Sequence, residues 1–121
     1  MEFWNNQITD KSYKMLQELK KSPIRFIVIG GWAAYFHTKT NKSKDIDILL
    51  PDFKDLQYLK ENHNLSKNDS LKKYQIIIGD IDVDIYVPYY SELGIDINKL
   101  SKNTVEIDGF SVISKAMLLV L

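Results

Sequence analysis

The stretch from Phe26 to Leu50 constrains the fold of this chain more than any other part of the sequence. It begins as a short apolar strand, turns at Gly30-Gly31, continues with a short helical pattern, and ends in a strand that opens with Asp45-Ile46-Asp47. A glycine pair lets the backbone turn sharply and approach a phosphate closely. Two carboxylates at alternate positions of a strand point to the same side, as a metal-bound triphosphate requires. The stretch therefore predicts a strand-turn-helix-strand unit that can bind a metal and a phosphate.

The chain is long enough for one small domain, residues 1–121, because its 121 residues and 45% hydrophobic content can bury a single core. Its 16 basic and 16 acidic side chains give a formal net charge of zero, so no global basic field draws it to nucleic acid. It contains no cysteine, which excludes disulfides and thiolate metal sites and fits a reducing compartment. It has neither a hydrophobic run of about 18 residues nor a signal peptide. We therefore expect a cytoplasmic protein without a membrane partner.

Hydrophobic periodicity and turn residues predict an α/β (α+β) fold, in which a small mixed β-sheet has helices packed on it. Two β-hairpins are expected at Gly79-Asp80 and Asp108-Gly109, because each pair lies between apolar segments. The polar segment 61–73 is predicted to be a mobile loop, and residues 114–121 an apolar helix. The other predicted elements are helices at 9–21, capped by Thr9-Asp10, at 31–37 and after Asp52, and strands at 25–29 and 45–50.

The glycine pair Gly30-Gly31 has two interpretations. Because it leaves a strand and opens a helix, it places backbone N–H groups and the positive end of the helix dipole where an anion can bind. Taken alone, it is better explained as a tight turn without a ligand. It lacks the Gly-Lys-Ser/Thr of a Walker A loop and the three spaced glycines of a dinucleotide fingerprint. A P-loop ATPase and a Rossmann oxidoreductase are therefore excluded.

Asp45 and Asp47 alternate with Ile46 and Ile48, so in a strand the two carboxylates share one side and the isoleucines the other. A solvated strand face would explain this pattern as well. However, aspartate is disfavoured in strands, and neighbouring carboxylates repel unless cations or hydrogen-bond donors neutralise them. Carboxylate oxygens are hard ligands that suit Mg²⁺ or Mn²⁺. The pair therefore predicts a divalent-metal site.

A two-metal site needs a further carboxylate from another strand, and the segment 80–86 offers a choice. Asp80 belongs to the predicted turn, whereas Asp82 and Asp84 share one face of the outgoing strand. A carboxylate placed there can accept a proton from an acceptor hydroxyl, or can bind the metal that activates the hydroxyl. Strand alternation alone leaves both Asp82 and Asp84 open.

Gly30-Gly31-Trp32-Ala33, followed after Gly31 by thirteen residues and then Asp45-Ile46-Asp47-Ile48, resembles the signature of the nucleotidyltransferase superfamily related to DNA polymerase beta. The pattern is similar to that of the aminoglycoside and lincosamide nucleotidyltransferases and of the AbiEii-type proteins of abortive infection. With the later segment Val83-Asp84-Ile85, the resemblance covers roughly residues 25–115. The hydrophobic context of Asp84 matches the third carboxylate of the superfamily better than that of Asp82.

The resemblance implies a metal-dependent enzyme that transfers a nucleoside monophosphate from a nucleoside triphosphate, ATP by expectation, to a hydroxyl or phosphate acceptor and releases pyrophosphate. It does not identify the acceptor as a small molecule, an RNA or a protein, and a partner protein or a homo-oligomer fits it equally. Mg²⁺ or Mn²⁺ is the expected cofactor. The residues that the resemblance implies are the metal-binding and catalytic Asp45, Asp47 and Asp84, with Asp82 as the alternative third carboxylate, and the phosphate-binding Gly30, Gly31, Lys42, Ser43 and Lys44.

Two departures from the family pattern favour another hypothesis. Relatives often carry an arginine four residues before the first aspartate, where this chain has Asn41, and Lys42 or Lys44 would have to replace it as a point charge. We also expect the last helix to be truncated at Leu121, where relatives continue into helices on the acceptor side. The alternative is a catalytically inactive nucleotide-binding module, or an interaction module of the toxin–antitoxin type, with the same fold.

Three other residues are interpreted as structural. His37 and His63 have no second ligand at metal-binding spacing. Trp32 is expected to pack in the core rather than to stack on a base, although it follows the glycines directly.

Overall fold

The computed structural model describes residues 6–121. No helix in this range is both long enough and apolar enough to cross a membrane. The elements, in chain order, are α1 (Asn6–Lys21), β1 (Ile27–Ile29), α2 (Gly30–Thr38), β2 (Ile46–Leu49), α3 (Asp55–Asn62), β3 (Leu65–Asn68), β4 (Lys73–Ile78), β5 (Ile81–Tyr86), α4 (Ile97–Ser101), β6 (Thr104–Ile107), β7 (Phe110–Ile113) and α5 (Lys115–Leu118).

The strands of the described residues form one mixed sheet in the order β3-β4-β5-β2-β1-β7-β6. The pairs β2/β5 and β1/β7 are parallel, and the other neighbouring pairs are antiparallel. Both predicted hairpins are confirmed, because β4 pairs with β5 and β6 with β7 across the glycine-containing turns. The predicted α/β class with a mixed sheet is therefore confirmed. The centre of the sheet consists of β1, β2 and β5, the strands that carry the sequence motifs.

Buried apolar side chains of the sheet and of the helices α1, α2, α3 and α4 form one core. Trp32 is fully buried, and its indole Nε1 donates a 2.9 Å hydrogen bond to the buried Ser12 Oγ of α1. Tyr13 and Tyr35 pack against the same indole, each with a ring-centroid distance of 5.4 Å. Burial of an aromatic side chain with its N–H satisfied is favourable. The expectation that Trp32 is a core residue is confirmed.

The prediction of a mobile loop at 61–73 was wrong. This segment contains β3, which pairs with β4 from Leu65 opposite Ile76 to Asn68 opposite Lys73. Its polar composition hid the strand because β3 lies at the edge of the sheet, where one side of the strand has no partner and charged side chains prevent further pairing.

Three helix predictions also need correction. α1 begins at Asn6, so Thr9 and Asp10 lie inside the helix and do not cap it. α3 begins at Asp55, after a turn in which Asp52 Oδ1 accepts a 3.0 Å hydrogen bond from the amide of Lys54. The expected C-terminal helix is one turn, α5, capped by Ser114. The short α4, capped by Asp96, was not predicted, because a helix of five residues carries too little periodicity to be recognised.

Candidate active site

The register of the central strands brings two of the predicted aspartates together. Asp47 of β2 lies directly opposite Asp84 of the parallel strand β5. On its other side Asp47 lies opposite Ile29, the last residue of β1, which Gly30 follows. The glycine turn and the two aspartates therefore meet at one place in the sheet, although they are far apart in sequence. Asp84, rather than Asp82, is the partner of Asp47.

The carboxyl of Asp47 is in an environment that disfavours its charge. Burial, and next the neighbouring Asp84 carboxylate, raise the pKa of Asp47 from 3.8 to about 6, although Lys73 lowers it in part. A raised carboxyl pKa means that the ionised form lacks compensation in the folded protein. A proton or a cation at this position would supply it. Such shifts occur preferentially at functional sites.

Asp84 is held by two side chains of β4 that were not predicted as site residues. Lys73 Nζ lies 3.2 Å from Asp84 Oδ2, and Gln75 Nε2 donates a 2.9 Å hydrogen bond to Asp84 Oδ1. The hairpin predicted at Gly79-Asp80 could have identified both residues as neighbours of Asp84. A two-residue turn that pairs Ile78 with Ile81 also places Gln75 opposite Asp84. The charge of Lys73 then follows on the same strand face, two residues away.

Asp45 lies outside this pair. It precedes β2, its Oδ1 accepts a 3.1 Å hydrogen bond from the amide of Asp82, and Lys44 Nζ is 4.0 Å from the same oxygen. Among residues 7–121, no group of three histidine, aspartate or glutamate side chains is placed so that it could hold a metal ion. The joint metal site of Asp45, Asp47 and Asp84 therefore stays a prediction.

Asp47 and Asp84 nevertheless fit a divalent cation in their chemistry. Both supply hard carboxylate oxygens, and the unfavourable environment of the Asp47 charge is the kind that a cation relieves. Mg²⁺ typically binds one or two protein carboxylates and takes its remaining ligands from substrate phosphates and water. Two adjacent carboxylates are enough for that arrangement.

The two glycines have a packing role that the sequence interpretation did not include. Gly30 has a φ of 68°, and a Cβ added to it would collide with Asp47 Oδ2. A Cβ added to Gly31 would lie 2.7 Å from Ser43 Oγ, and Ser43 Oγ donates a 2.9 Å hydrogen bond to the backbone oxygen of Asp45. The glycine pair thus lets Asp47 and the loop before Asp45 lie against the start of α2.

The predicted phosphate-binding residues are placed differently from one another. Ser43 lies beside Gly31, and Lys44 lies beside Asp45. Lys42 instead forms a 3.6 Å ion pair with Asp10 of α1. The first turn of α2, which begins at Gly30, presents backbone N–H groups that have no partner within the helix. Binding of phosphate by these groups remains a prediction.

A cavity of about 270 Å³ opens next to the Asp47 carboxylate. Burial is the main cause that raises the pKa of the Tyr86 hydroxyl to about 12, and the charges of Asp47 and Asp84 add to it. The hydroxyl therefore stays protonated. A depression of about 580 Å³ between α3 and the β3/β4 edge is larger, but it has no carboxylate in its lining. The smaller cavity is therefore the better candidate for chemistry. Its lining residues are Ile29, Gly30, Asp47, Tyr86, Leu93, Leu118 and Leu121.

The structural interpretation of His37 agrees with its contacts. His37 Nε2 lies 2.8 Å from the backbone oxygen of Ile113, which joins α2 to β7. His63 ends α3, where its amide donates to the backbone oxygen of Leu59. Neither histidine lines the cavity beside Asp47.

Substitution of Gly30 by alanine should lower the free energy of unfolding by about 1 to 3 kcal/mol, because the new Cβ is strained at positive φ and also displaces Asp47. Gly79→Ala is the matched control. Gly79 has a similar φ of 59°, yet a Cβ there would meet no atom within 4 Å. Urea unfolding of both variants should show the larger loss for Gly30→Ala. Equal losses would mean that contact with Asp47 does not require glycine at position 30.

No protein-family model matches the chain, and no curated protein matches it in sequence. Solved structures do match it. The crystal structure of TM1012 from Thermotoga maritima, a suspected nucleotidyltransferase, is 17% identical with a TM-score of 0.62, over 98% of this chain and 84% of that one. The crystal structure of ANT(2'')-Ia with adenylyl-2''-tobramycin is 20% identical with a TM-score of 0.57, over 91% of this chain and 69% of the other.

A solution structure of ANT(2'')-Ia, described as an antibiotic-resistance factor, agrees with these matches at 19% identity and a TM-score of 0.57. The match covers 92% of this chain and 66% of that one. At such identities the likeness establishes the fold. The fold that the resemblance implied is thereby confirmed, and the chain has the nucleotidyltransferase fold.

Proposed function

We propose that this protein is a metal-dependent nucleotidyltransferase that transfers a nucleoside monophosphate from a nucleoside triphosphate to a hydroxyl or phosphate acceptor. The observation that carries the proposal is the register of Asp47 opposite Asp84, next to the glycine turn that opens α2. Positioning and charge neutralisation account for most of the catalysis of phosphoryl and nucleotidyl transfer. Adjacent carboxylates beside a helix N-terminus provide the groups for both.

In the proposed reaction an acceptor oxygen attacks the α-phosphorus, the bond from this phosphorus to the bridging oxygen of the β-phosphate breaks, and pyrophosphate leaves. Asp84 accepts the proton of the acceptor hydroxyl. The backbone N–H groups at Gly30 and Gly31 hold the phosphates. Asp45 and Asp47, next to Asp84, would hold Mg²⁺ or Mn²⁺ once Asp45 Oδ1 leaves its hydrogen bond with the Asp82 amide. The metal, when bound, neutralises charge that develops on the phosphate oxygens.

ATP is the proposed donor. The ANT(2'')-Ia structure contains adenylyl-2''-tobramycin, which is an adenylyl group attached to an acceptor. That content supports an adenylyl donor and a hydroxyl acceptor for a chain of the same fold, although it does not extend to the identity of the acceptor. A small molecule, an RNA and a protein all carry suitable hydroxyls.

A second candidate is a nucleotide-binding module without transfer activity. Asp84 Oδ2 forms an ion pair with Lys73, and Asp84 Oδ1 accepts a hydrogen bond from Gln75. Asp45 Oδ1 accepts a hydrogen bond from the backbone amide of Asp82. A site whose carboxylates are satisfied by the protein itself has less need for metal than one with unpaired carboxylates. Turnover is the property that separates the two candidates.

The test is incubation of the full chain with each of the four nucleoside triphosphates, labelled at the α-phosphate, with Mg²⁺ or Mn²⁺ and pools of small-molecule, RNA and protein acceptors. We expect metal-dependent transfer of label, release of pyrophosphate and a preference for ATP. Asp47→Asn is the control that should lose all three. Binding of nucleotide without transfer to any pool would favour the binding module instead.

A further inference from the structure

Lys73 has the least exposed side chain among the lysines that form ion pairs in the described residues. Its side chain is 13% exposed and its partner Asp84 is 14% exposed, whereas the next least exposed lysine in an ion pair of the described residues, Lys44, is 24% exposed. A buried charge is costly unless a partner compensates it. The Asp84 carboxylate compensates the charge of the Lys73 ammonium in this poorly exposed position.

The ammonium acts on two carboxylates. It contacts Asp84 Oδ2 at 3.2 Å, and Asp47 lies opposite Asp84 in the neighbouring strand. Gln75 fixes the other oxygen of Asp84 at 2.9 Å. A positive charge beside two adjacent carboxylates reduces the repulsion between them, as a bound metal ion does. The ammonium supplies one unit of charge, whereas a divalent metal ion supplies two.

We propose that Lys73 is a positioning residue that supplies one compensating charge to the Asp47-Asp84 pair until the metal-bound triphosphate arrives, after which its ammonium moves from the carboxylates to the phosphates. The inference rests on the proposed function. Its physical basis is repulsion, because a divalent cation held at Asp47, beside Asp84, must bind close to an ammonium of like charge. Lys73 should thus weaken binding of the metal alone and strengthen binding of the metal together with the triphosphate.

The test is calorimetry of Mn²⁺ binding to the wild type and to Lys73→Gln, first without nucleotide and then with α,β-methylene-ATP, which cannot release pyrophosphate. Lys73→Gln should bind Mn²⁺ alone about tenfold more tightly and the Mn²⁺-nucleotide complex about tenfold more weakly. A merely structural lysine would not change the two affinities in opposite directions. Lys73→Arg should bind Mn²⁺ alone and the Mn²⁺-nucleotide complex with affinities close to those of the wild type, because it retains the charge.

Lys67→Gln is the matched control, since Lys67 carries the same charge on the adjacent strand β3 but pairs with Asp69 at 3.5 Å. Its affinities should equal those of the wild type. If Lys73→Gln does not fold, Lys73→Met, which keeps the aliphatic stem, replaces it. Unchanged or weaker binding of Mn²⁺ alone by the charge-free variants would overturn the inference. A wild type that binds no Mn²⁺ even with nucleotide would overturn the proposed function and this inference with it.

Discussion

Replacement of Asp84 by asparagine should lower the rate of nucleotidyl transfer by about 10² to about 10⁴, with a smaller change in KM for the triphosphate. Asparagine has the same shape and can still accept the bond from Gln75, but it cannot take a proton from the acceptor hydroxyl. A group that acts on the acceptor contributes mainly in the transition state, so its loss appears in kcat. The measurement is steady-state release of pyrophosphate with the acceptor found in the transfer assay.

Asp82→Asn is the control for this substitution. Asp82 lies on the same strand, two residues before Asp84, and the change removes the same charge. Its amide bonds to Asp45, and its neighbour in β4 is Ile77 rather than Gln75. We expect Asp82→Asn to keep most of the activity. A loss in Asp82→Asn as large as that in Asp84→Asn would assign the role of third carboxylate to Asp82.

The local part of the fold could be predicted because its determinants are close in sequence. The glycine turn, the helix that follows it and the alternation of Asp47 with isoleucines all lie within residues 26–50. The two hairpins were also predictable, since the glycine-containing turns connect strands that are neighbours in the chain. The polar edge strand β3 was missed because the same composition is typical of a loop.

The candidate site could be predicted only in part, because its decisive contact crosses the sheet. No turn links β2 to β5, so nothing local fixes Asp47 opposite Asp84 rather than opposite Asp82. The family resemblance favoured Asp84, and the strand register agrees with it. The direction of the Asp45 carboxylate was not predictable either, because Asp45 precedes the strand and the alternation rule does not apply there.

The free energy of unfolding should reveal the cost of the Asp47 charge through its dependence on pH. Burial and the charge of Asp84 raise the pKa of Asp47 from 3.8 to about 6 in the folded protein. Lys73 opposes the shift, whereas a hydrogen bond with Asp84 and the charge of Asp45 add to it. Between these two values the folded state binds more protons than the unfolded state, so this group makes stability fall as pH rises. The loss is complete once the pH exceeds about 7.

Asp47→Asn should therefore be more stable than the wild type at pH 7.5 by about 1 to 3 kcal/mol, because a shift of one pKa unit corresponds to about 1.4 kcal/mol and partial exposure of the carboxyl reduces the effect. At pH 4 the difference should be small, since Asp47 is then protonated. Urea unfolding of both proteins at several pH values measures it, with Asp80→Asn at the exposed β4–β5 turn as a control. A stability difference that does not change between pH 4 and pH 7.5 would contradict the unfavourable environment of Asp47. A gain in stability together with loss of metal-dependent nucleotide binding would show that this charge is kept for function.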